Sequence, residues 1–301
     1  NANNGIFFQN RLLIPHSRDL VAASDFLNYT RYQPVLSNFR VNQGSEDFLV
    51  ALWKFDASTI LCFKESSVYA VRNIYGNLSD IFLDEISRGY GLKSSKAVVT
   101  VGKDIWFLSD QRGVVSLAVS ESGKLQGVDA PVSEPIQPLI DRINWAYADK
   151  SAAAWHNNKY YLAVPIDGST TNNAILVYDF RNQAWSGFDQ SSEIDGLTDF
   201  VTFKYQGAKR LFFMANGFLN LYDDPNLSGF VDETVDTSNS SSRNISHTQI
   251  SDELVSRGYK CGAEDMKRFQ QANVTVSTNG VVGSSGGIDI TALFDGVEET
   301  H

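Results

Sequence analysis

Five short β-hairpins recur along the chain at nearly even spacing, and this repeat restricts the possible folds more than any other feature of the sequence. Each hairpin consists of an apolar run, a polar turn of two to four residues and a second β-prone run. The turns contain Asn, Asp or Gly, which adopt the positive φ angles of tight turns. Their centres lie near residues 10, 57, 103, 157 and 207. The period is therefore about 45 to 55 residues, which is typical of propeller blades and not of helical repeats.

A third β-prone run follows the hairpin in most units, at residues 68–71, 114–119, 174–180 and 218–222. Units of about four strands result, and 43% hydrophobic residues supply enough apolar surface for a core. The sequence therefore predicts an all-β fold, a β-propeller with about four-stranded blades over residues 1–236. Five hairpins leave open whether the ring closes.

Two stretches between the hairpins are predicted to connect blades. Residues 19–28 carry apolar side chains at loosely helical spacing. Residues 133–145 place Ile136, Leu139, Ile140 and Ile143 on one face of a short amphipathic helix. Ser133 is the expected cap of this helix, and Pro138 is expected to make its first turn irregular.

The composition changes near residue 236. Residues 237–247 are dominated by Ser, Thr and Asn, which predicts a linker or a mobile loop. Alternating apolar runs return at residues 272–278 and 288–294, on either side of a glycine-rich turn. Residues 248–301 are therefore predicted to form part of a second, smaller β domain of sandwich-like type.

The charge balance argues against tight binding of nucleic acid. The chain has 25 Lys and Arg residues against 35 Asp and Glu residues, a formal net charge of −10. Phosphate binding depends on clustered Lys and Arg, and no such run occurs. No stretch approaches the roughly 18 continuous apolar residues of a spanning helix, so no membrane span is predicted.

Nothing in the sequence indicates an enzyme, a metal site or a cofactor. The four histidines, His16, His156, His247 and His301, show no pairing at metal-ligand spacing. Cys62 and Cys261 are far apart, and Cys62 lies in an apolar run that predicts a buried free thiol. Nucleophile elbows, phosphate loops and dinucleotide fingerprints are absent from the sequence. No catalytic, cofactor-binding or metal-binding residue is therefore assigned.

Two alternatives belong to other functional classes. A propeller glycosidase would need two carboxylates facing a central funnel, and Asp25, Asp110, Asp167 and Asp199 lie near strand ends. Such residues are also ordinary turn formers. A propeller that binds carbohydrate or a receptor would expose aromatic side chains, and Trp53, Trp106, Trp155 and Trp185 fall on strands. Packing between blades is the default interpretation of these tryptophans.

Several runs, taken together in order and spacing, carry a family resemblance. They are DFLVAL (47–52), LCFKESSVY (61–69), SEPI (133–136), ID (140–141), IN (143–144), AAWHN (153–157), YYLAVP (160–165), VYD (177–179), WSG (185–187), RGY (257–259) and KRF (267–269). This series resembles the propeller region, and then the sandwich-like platform, of tailed-bacteriophage tail hub or nozzle proteins. The resemblance extends from about residue 5 to about residue 293, and it has no counterpart for the Ser-rich stretch.

The resemblance implies a structural protein of the virion tail. Copies would associate into a ring around the DNA channel, next to proteins on the adaptor and portal side and to fibres. An acidic ring would let the genome pass without tight binding, because like charges repel. The loops at residues 167–173 and 237–246 are candidates for contact with neighbours.

Overall fold

The computed structural model describes residues 5–33, 36–109, 113–119, 125–128, 131–222, 231–236, 244–249, 291–294 and 297–300. The chain divides into two compact units, Asn1–Asp223 and Asp224–His301. The first unit contains five antiparallel sheets that follow one another along the chain. This arrangement confirms the predicted all-β, propeller-like class.

Each of the first four sheets has four strands in chain order, and the fifth has three. Sheets 1 and 2 consist of β1 (Ile6–Phe8), β2 (Arg11–Pro15), β3 (Leu20–Ala23), β4 (Asn38–Arg40), β5 (Leu49–Lys54), β6 (Thr59–Lys64), β7 (Ser67–Arg72) and β8 (Phe82–Arg88). Sheets 3 to 5 consist of β9 (Val98–Val101), β10 (Asp104–Ser109), β11 (Gly113–Val119), β12 (Leu125–Val128), β13 (Ala152–His156), β14 (Lys159–Val164), β15 (Ala174–Asp179), β16 (Ala184–Asp189), β17 (Leu197–Tyr205), β18 (Ala208–Ala215) and β19 (Phe218–Leu221).

Three of the five predicted hairpin turns have two successive residues with positive φ, the turn near residue 103 has Gly102 alone, and the turn at residues 56–58 has none. Asn157 and Asn158 join β13 to β14 with φ angles of 49° and 58°. Gln206 and Gly207 join β17 to β18 with φ angles of 47° and 81°. Two successive residues with positive φ form the type of turn whose twist matches a two-stranded hairpin.

The predicted connection at residues 19–28 is wrong, because its first half is strand β3. Val21 pairs with Phe39 of β4, and Ala23 pairs with Leu13 of β2. Both Val21 and Ala23 are buried. Their side chains alternate with period two, which the short apolar run does not distinguish from a loose helical spacing.

The predicted helix at residues 133–145 is shorter than expected. A 3-10 turn at Glu134–Ile136 leads into α1 (Gln137–Ile140), and Ile140 and Ile143 are buried. Ser133 does not cap this helix. Its hydroxyl instead accepts a hydrogen bond from the backbone N–H of Val114 at 3.0 Å. Ser133 therefore ties the connection to sheet 3.

The core consists of four apolar clusters, each between two successive sheets. Strand β10 shows how the alternation works. Ile105 and Phe107 pack in the cluster shared with sheet 2, whereas Trp106 and Leu108 pack in the cluster shared with sheet 4. Because side chains alternate along a strand, each inner sheet is apolar on both faces. None of the four clusters joins sheet 5 to sheet 1.

The second unit contains two strand pairs within the residues that are described. They are β20 (Val231–Asp236) with β21 (Asn244–Gln249), and β22 (Thr291–Phe294) with β23 (Val297–Thr300). The unit begins after Asp223, earlier than the predicted bound at residue 236, and β21 includes the last residues of the predicted linker 237–247. Residues 237–243 and 272–278 lie outside the described residues. The sandwich-like platform stays a prediction.

Candidate functional site

Antiparallel pairing places the connections of every sheet at two opposite edges of the first unit. The first strand of each sheet begins at one of these edges, which we call the loop rim. The loop between the second and third strands of each sheet lies at the same edge. The opposite edge, the turn rim, holds the tight first turns. A parallel bridge between Lys96 and Ala152 shows that sheets 3 and 4 begin on the same side. The connections that precede sheets 3 and 4 therefore meet at the loop rim.

Lys96 connects three sheets at the loop rim. Its backbone carbonyl accepts a hydrogen bond from the N–H of Ala153 at 2.9 Å. Its ammonium donates to the carbonyl of Thr198 at 3.0 Å and lies 3.0 Å from the carboxylate of Asp199. Lys96, which lies two residues before the first strand of sheet 3, thus contacts the first strands of sheets 4 and 5.

Asn172 forms a second, buried connection at the loop rim. Its side-chain amide donates to the carbonyls of Lys150 at 2.7 Å and of Leu197 at 2.8 Å. Its own carbonyl accepts from the N–H of Gly196 at 2.9 Å. One residue of the predicted contact loop at residues 167–173 therefore forms hydrogen bonds that hold sheet 4 against sheet 5.

A cavity of about 520 Å³ opens on the loop rim between sheets 1, 2 and 3. It is lined by Pro15, His16, Ser17, Arg18, Phe48, Leu49, Val50, Glu65, Lys93, Ser95 and Asp149. The guanidinium carbon of Arg18 lies 4.9 Å from the centroid of the Phe48 ring. The volume of the cavity lies within the range of small-molecule pockets, and the charged side chains that line the cavity are of both signs.

The structure places the candidate carboxylates in separate ionic or hydrogen-bonded pairs. Asp25 on the turn rim contacts Arg31 at 3.2 Å, whereas Asp167 on the loop rim accepts two hydrogen bonds from Arg142, at 2.9 and 2.6 Å. Asp199 pairs with Lys96. Asp25, Asp167 and Asp199 are not among the residues that line the cavity. Asp110 lies outside the described residues.

The electrostatic surroundings of two of these carboxylates favour the ionised form. A hydrogen bond from the Gln33 side chain, with smaller contributions from Ser37 and Arg31, lowers the pKa of Asp25. The hydrogen bonds from Arg142 lower the pKa of Asp167. A general acid of a glycosidase needs a raised pKa, so neither side chain resembles one.

The described histidines and the described cysteine belong to different elements of the fold. His16 lines the cavity, His156 ends β13 and His247 lies in β21. Cys62 is a buried free thiol, as predicted, and burial raises its pKa. His301 and Cys261 lie outside the described residues. Within the described part of the chain, no group of three or more His, Cys, Asp or Glu side chains is arranged to hold a metal ion.

The tryptophans pack between sheets and do not form an exposed ladder. Trp106 is buried in the cluster between sheets 3 and 4, with Trp155 and Trp185 at its edge. The Trp185 indole donates to the carbonyl of Val132 at 3.0 Å. Trp53 packs at the edge of the cluster between sheets 2 and 3. The default interpretation, packing between blades, is therefore confirmed.

Sheet 5 has one largely apolar face that lies outside the four core clusters of the described residues. Residues paired directly across strands share a face, and the hydrophobic side chains that we call the sheet-5 open face are Val201, Phe203, Tyr205, Phe212, Met214, Leu219 and Leu221. Asp199, Ala208 and Arg210 lie on the same side. Val201 is 44% exposed and Met214 is 46% exposed. The rings of Phe203 and Phe212 stack with centroids 4.1 Å apart. The opposite face of the sheet packs on sheet 4 through Leu211 and Phe213.

Sheet 1 has a similar face outside the four core clusters of the described residues, at the other end of the series. Its apolar members are Phe7, Leu12, Ile14, Leu20 and Ala22, the sheet-1 open face, and Asn38 and Arg40 lie on the same side. Phe7 is 55% exposed and makes an edge contact with Tyr29, at 5.1 Å between ring centroids. The other side of sheet 1, through Phe8 and Leu13, packs on sheet 2. Sequence reasoning missed both open faces.

Comparisons with known proteins show a likeness of fold alone. No protein-family description matches the chain, and no curated protein matches it. A crystal structure of Raptor from Chaetomium thermophilum is similar to it, with a TM-score of 0.50 and 12% sequence identity. The match covers 76% of this chain and 20% of the Raptor chain. The chain is therefore similar in fold to about a fifth of a much longer protein.

Proposed function

We propose that the protein is a structural component of a tailed-phage virion, which associates with copies of itself into a ring around the DNA channel of the tail. The two open faces at the ends of the sheet series carry this proposal. Soluble monomers rarely expose contiguous apolar patches of this kind, and such patches typically mark interfaces between proteins. The choice of a phage tail rests on the sequence resemblance to hub and nozzle proteins.

The charge of the protein supports a role beside DNA without tight binding. A net charge of −10 repels phosphate, so a ring of such subunits would let a genome pass. Proteins on the adaptor and portal side, and fibres, are the proposed neighbours in the tail.

The proposed role is mechanical and involves no catalysis. Asp25, Asp167 and Asp199 each face an Arg or Lys partner. The pKa values of Asp25 and Asp167 are lowered, which is the opposite of what a general acid needs. Burial of interface area would hold the subunits together while DNA moves past them.

The test is the native mass of the purified chain. Light scattering across a range of protein concentrations, with imaging of negatively stained particles, is expected to show rings that form as concentration rises. A chain that stays monomeric throughout, and is not recruited by the other tail proteins, would contradict the proposed function.

A carbohydrate-binding or receptor-binding module is the second candidate, and the cavity on the loop rim favours it. Arg18 over Phe48 is a flat amphipathic surface of the kind that contacts sugars. Glycan-array binding that is lost on Arg18→Ala and Phe48→Ala substitution, by a monomeric protein, would favour this candidate. A propeller glycosidase is less favoured, and it predicts sugar hydrolysis that disappears when either of two carboxylates is replaced.

A further inference from the structure

We propose that the sheet-5 open face of one copy packs on the sheet-1 open face of the next, so that the series of sheets continues from subunit to subunit. The inference rests on the proposed function, because it names the contact that would build the ring. It commits to one occupant for both faces, a second copy of this chain.

The four interfaces inside the chain provide the pattern for this contact. In each internal interface, the forward face of one sheet, which points towards the next sheet in the chain, packs on the face of that next sheet that points back towards it. Phe63 of sheet 2 and Phe107 of sheet 3, with ring centroids 5.1 Å apart, are an example. The sheet-5 open face is the forward half of such an interface, and the sheet-1 open face is the receiving half.

The composition of the two faces matches that of the internal interfaces. The sheet-5 open face has three aromatic residues with Val, Met and Leu, and the sheet-1 open face has Phe, Leu, Ile and Ala. Each face also carries an arginine, since Arg210 lies opposite Phe203 on sheet 5 and Arg40 lies opposite Leu20 on sheet 1. Asp199 pairs with Lys96 of the same chain, and Arg40 pairs with Asp19 at 2.6 Å.

Strand direction favours a head-to-tail contact over two identical faces packing together. Within the chain, sheets 3 and 4 begin on the same rim, as the parallel bridge between Lys96 and Ala152 shows, and the first strand of sheet 4, β13, contacts the first strands of sheets 3 and 5. Packing sheet 5 on sheet 1 of another copy preserves both the strand direction and the order of strands across the sheet, whereas a twofold axis in the plane of contact reverses at least one of the two. A head-to-tail contact either closes into a ring or continues as a filament.

Two variants, each with one face blocked, test the pairing. Val201→Asp/Phe203→Asp blocks the forward face, and Phe7→Asp/Ile14→Asp blocks the receiving face. Each variant alone is expected to be monomeric at concentrations where the wild type assembles. Its protein concentration at half assembly is expected to be more than about tenfold above that of the wild type, because burial of an unpaired charge costs free energy. An equimolar mixture retains one competent pair of faces, so sedimentation is expected to show dimers and nothing larger.

The control is Phe82→Asp, at a 66% exposed position on β8 that belongs to neither face, and it is expected to assemble like the wild type. Circular dichroism checks the folding of every variant. Carbene footprinting of wild-type protein adds a readout independent of the variants, with Phe7, Phe203 and Met214 expected to be labelled less in assembled than in dissociated protein.

Several outcomes would overturn the inference. Rings that persist in both blocked variants, dimers formed by one blocked variant alone, or equal labelling of assembled and dissociated protein would each remove the head-to-tail contact while the proposed ring stands. A wild-type protein that is monomeric by itself and in the presence of tail partners removes the ring, and the contact with it.

Discussion

Tyr160 is a buried polar side chain without a polar partner. Its ring packs in an edge-on arrangement against Trp106, at 5.3 Å between centroids, in the core between sheets 3 and 4. Among the described residues, no group forms a hydrogen bond with its hydroxyl. Burial raises the pKa of Tyr160, so the hydroxyl stays protonated. The ring stabilises the core by packing, whereas the hydroxyl loses its hydrogen bonds to water on burial, which costs free energy.

Replacing Tyr160 with Phe is therefore expected to stabilise the protein by about 1 kcal/mol, measured as the free energy of unfolding in urea. Tyr69→Phe is the matched control. The Tyr69 hydroxyl donates to Glu85 at 3.0 Å and accepts from Asn42 at 2.7 Å, so its loss is expected to destabilise by about 1 kcal/mol. A destabilised Tyr160→Phe variant would contradict this account of the core.

Lys64 is a buried cation between sheets 1 and 2. Its ammonium donates to the hydroxyl of Ser45 at 3.0 Å and to the carbonyl of Val41 at 3.4 Å. Burial lowers its pKa, and the nearby carboxylates of Asp47 and Asp19 oppose this shift only in part. The charged form is therefore less favourable in the folded protein than in the unfolded chain.

This difference makes stability depend on pH. Between the lowered folded pKa and the unfolded value of about 10.4, the unfolded chain binds more protons than the folded one, so stability gained from Lys64 rises with pH. The free energy of unfolding of wild type minus that of Lys64→Met is expected to increase as pH rises towards 10. Two parallel pH curves in urea titrations would show that the Lys64 pKa is not lowered.

At the residue scale, the sequence predicts features that depend on near neighbours. The buried thiol of Cys62 and the positive φ angles at Asn157 and Asn158 follow from short local runs. The role of Ser133 does not, because its partner is the backbone of Val114, far along the chain. A capping motif describes only local hydrogen bonding, so a distant competitor leaves no trace in it.

At the scale of elements, Asn172 is the residue on which the joint between sheets 4 and 5 depends. Substitution by Ala would leave the carbonyls of Lys150 and Leu197 without the amide donor. We expect a loss of about 2 kcal/mol in the free energy of unfolding. Asn182→Ala is the control, since its amide donates to Asp179 at 3.1 Å in an exposed hydrogen bond, and a change below about 0.5 kcal/mol is expected. Equal effects would show that the joint does not rely on Asn172.

The order of strands is largely predictable, whereas the end of the sheet series is not. Strands β17 and β18 carry apolar side chains on both faces, as do inner strands such as β10 and β14. An apolar pattern on both faces predicts that a strand packs between two other layers. It does not indicate whether those layers belong to the same chain or to another copy. The open faces could therefore be found only in three dimensions.

At the scale of the whole molecule, the net charge of −10 on each subunit opposes assembly, because like charges repel. Salt screens this repulsion and leaves apolar contacts intact or strengthened. The protein concentration at half assembly is expected to fall as NaCl rises from about 50 mM to about 500 mM, where the Debye length shortens severalfold. Light scattering measures this shift. Assembly that weakens with salt would indicate an interface of ion pairs in place of apolar faces.

The alternation along β10 has a further consequence for how such a chain can change over generations. Loss or gain of one codon within the strand would move Trp106 to the side of Phe107 and exchange the side chains of two cores at once. Substitutions alter one layer at a time, and lengthened loops at the rims alter none. Natural variants of the protein are therefore expected to differ in loop length while their strands keep a fixed number of residues.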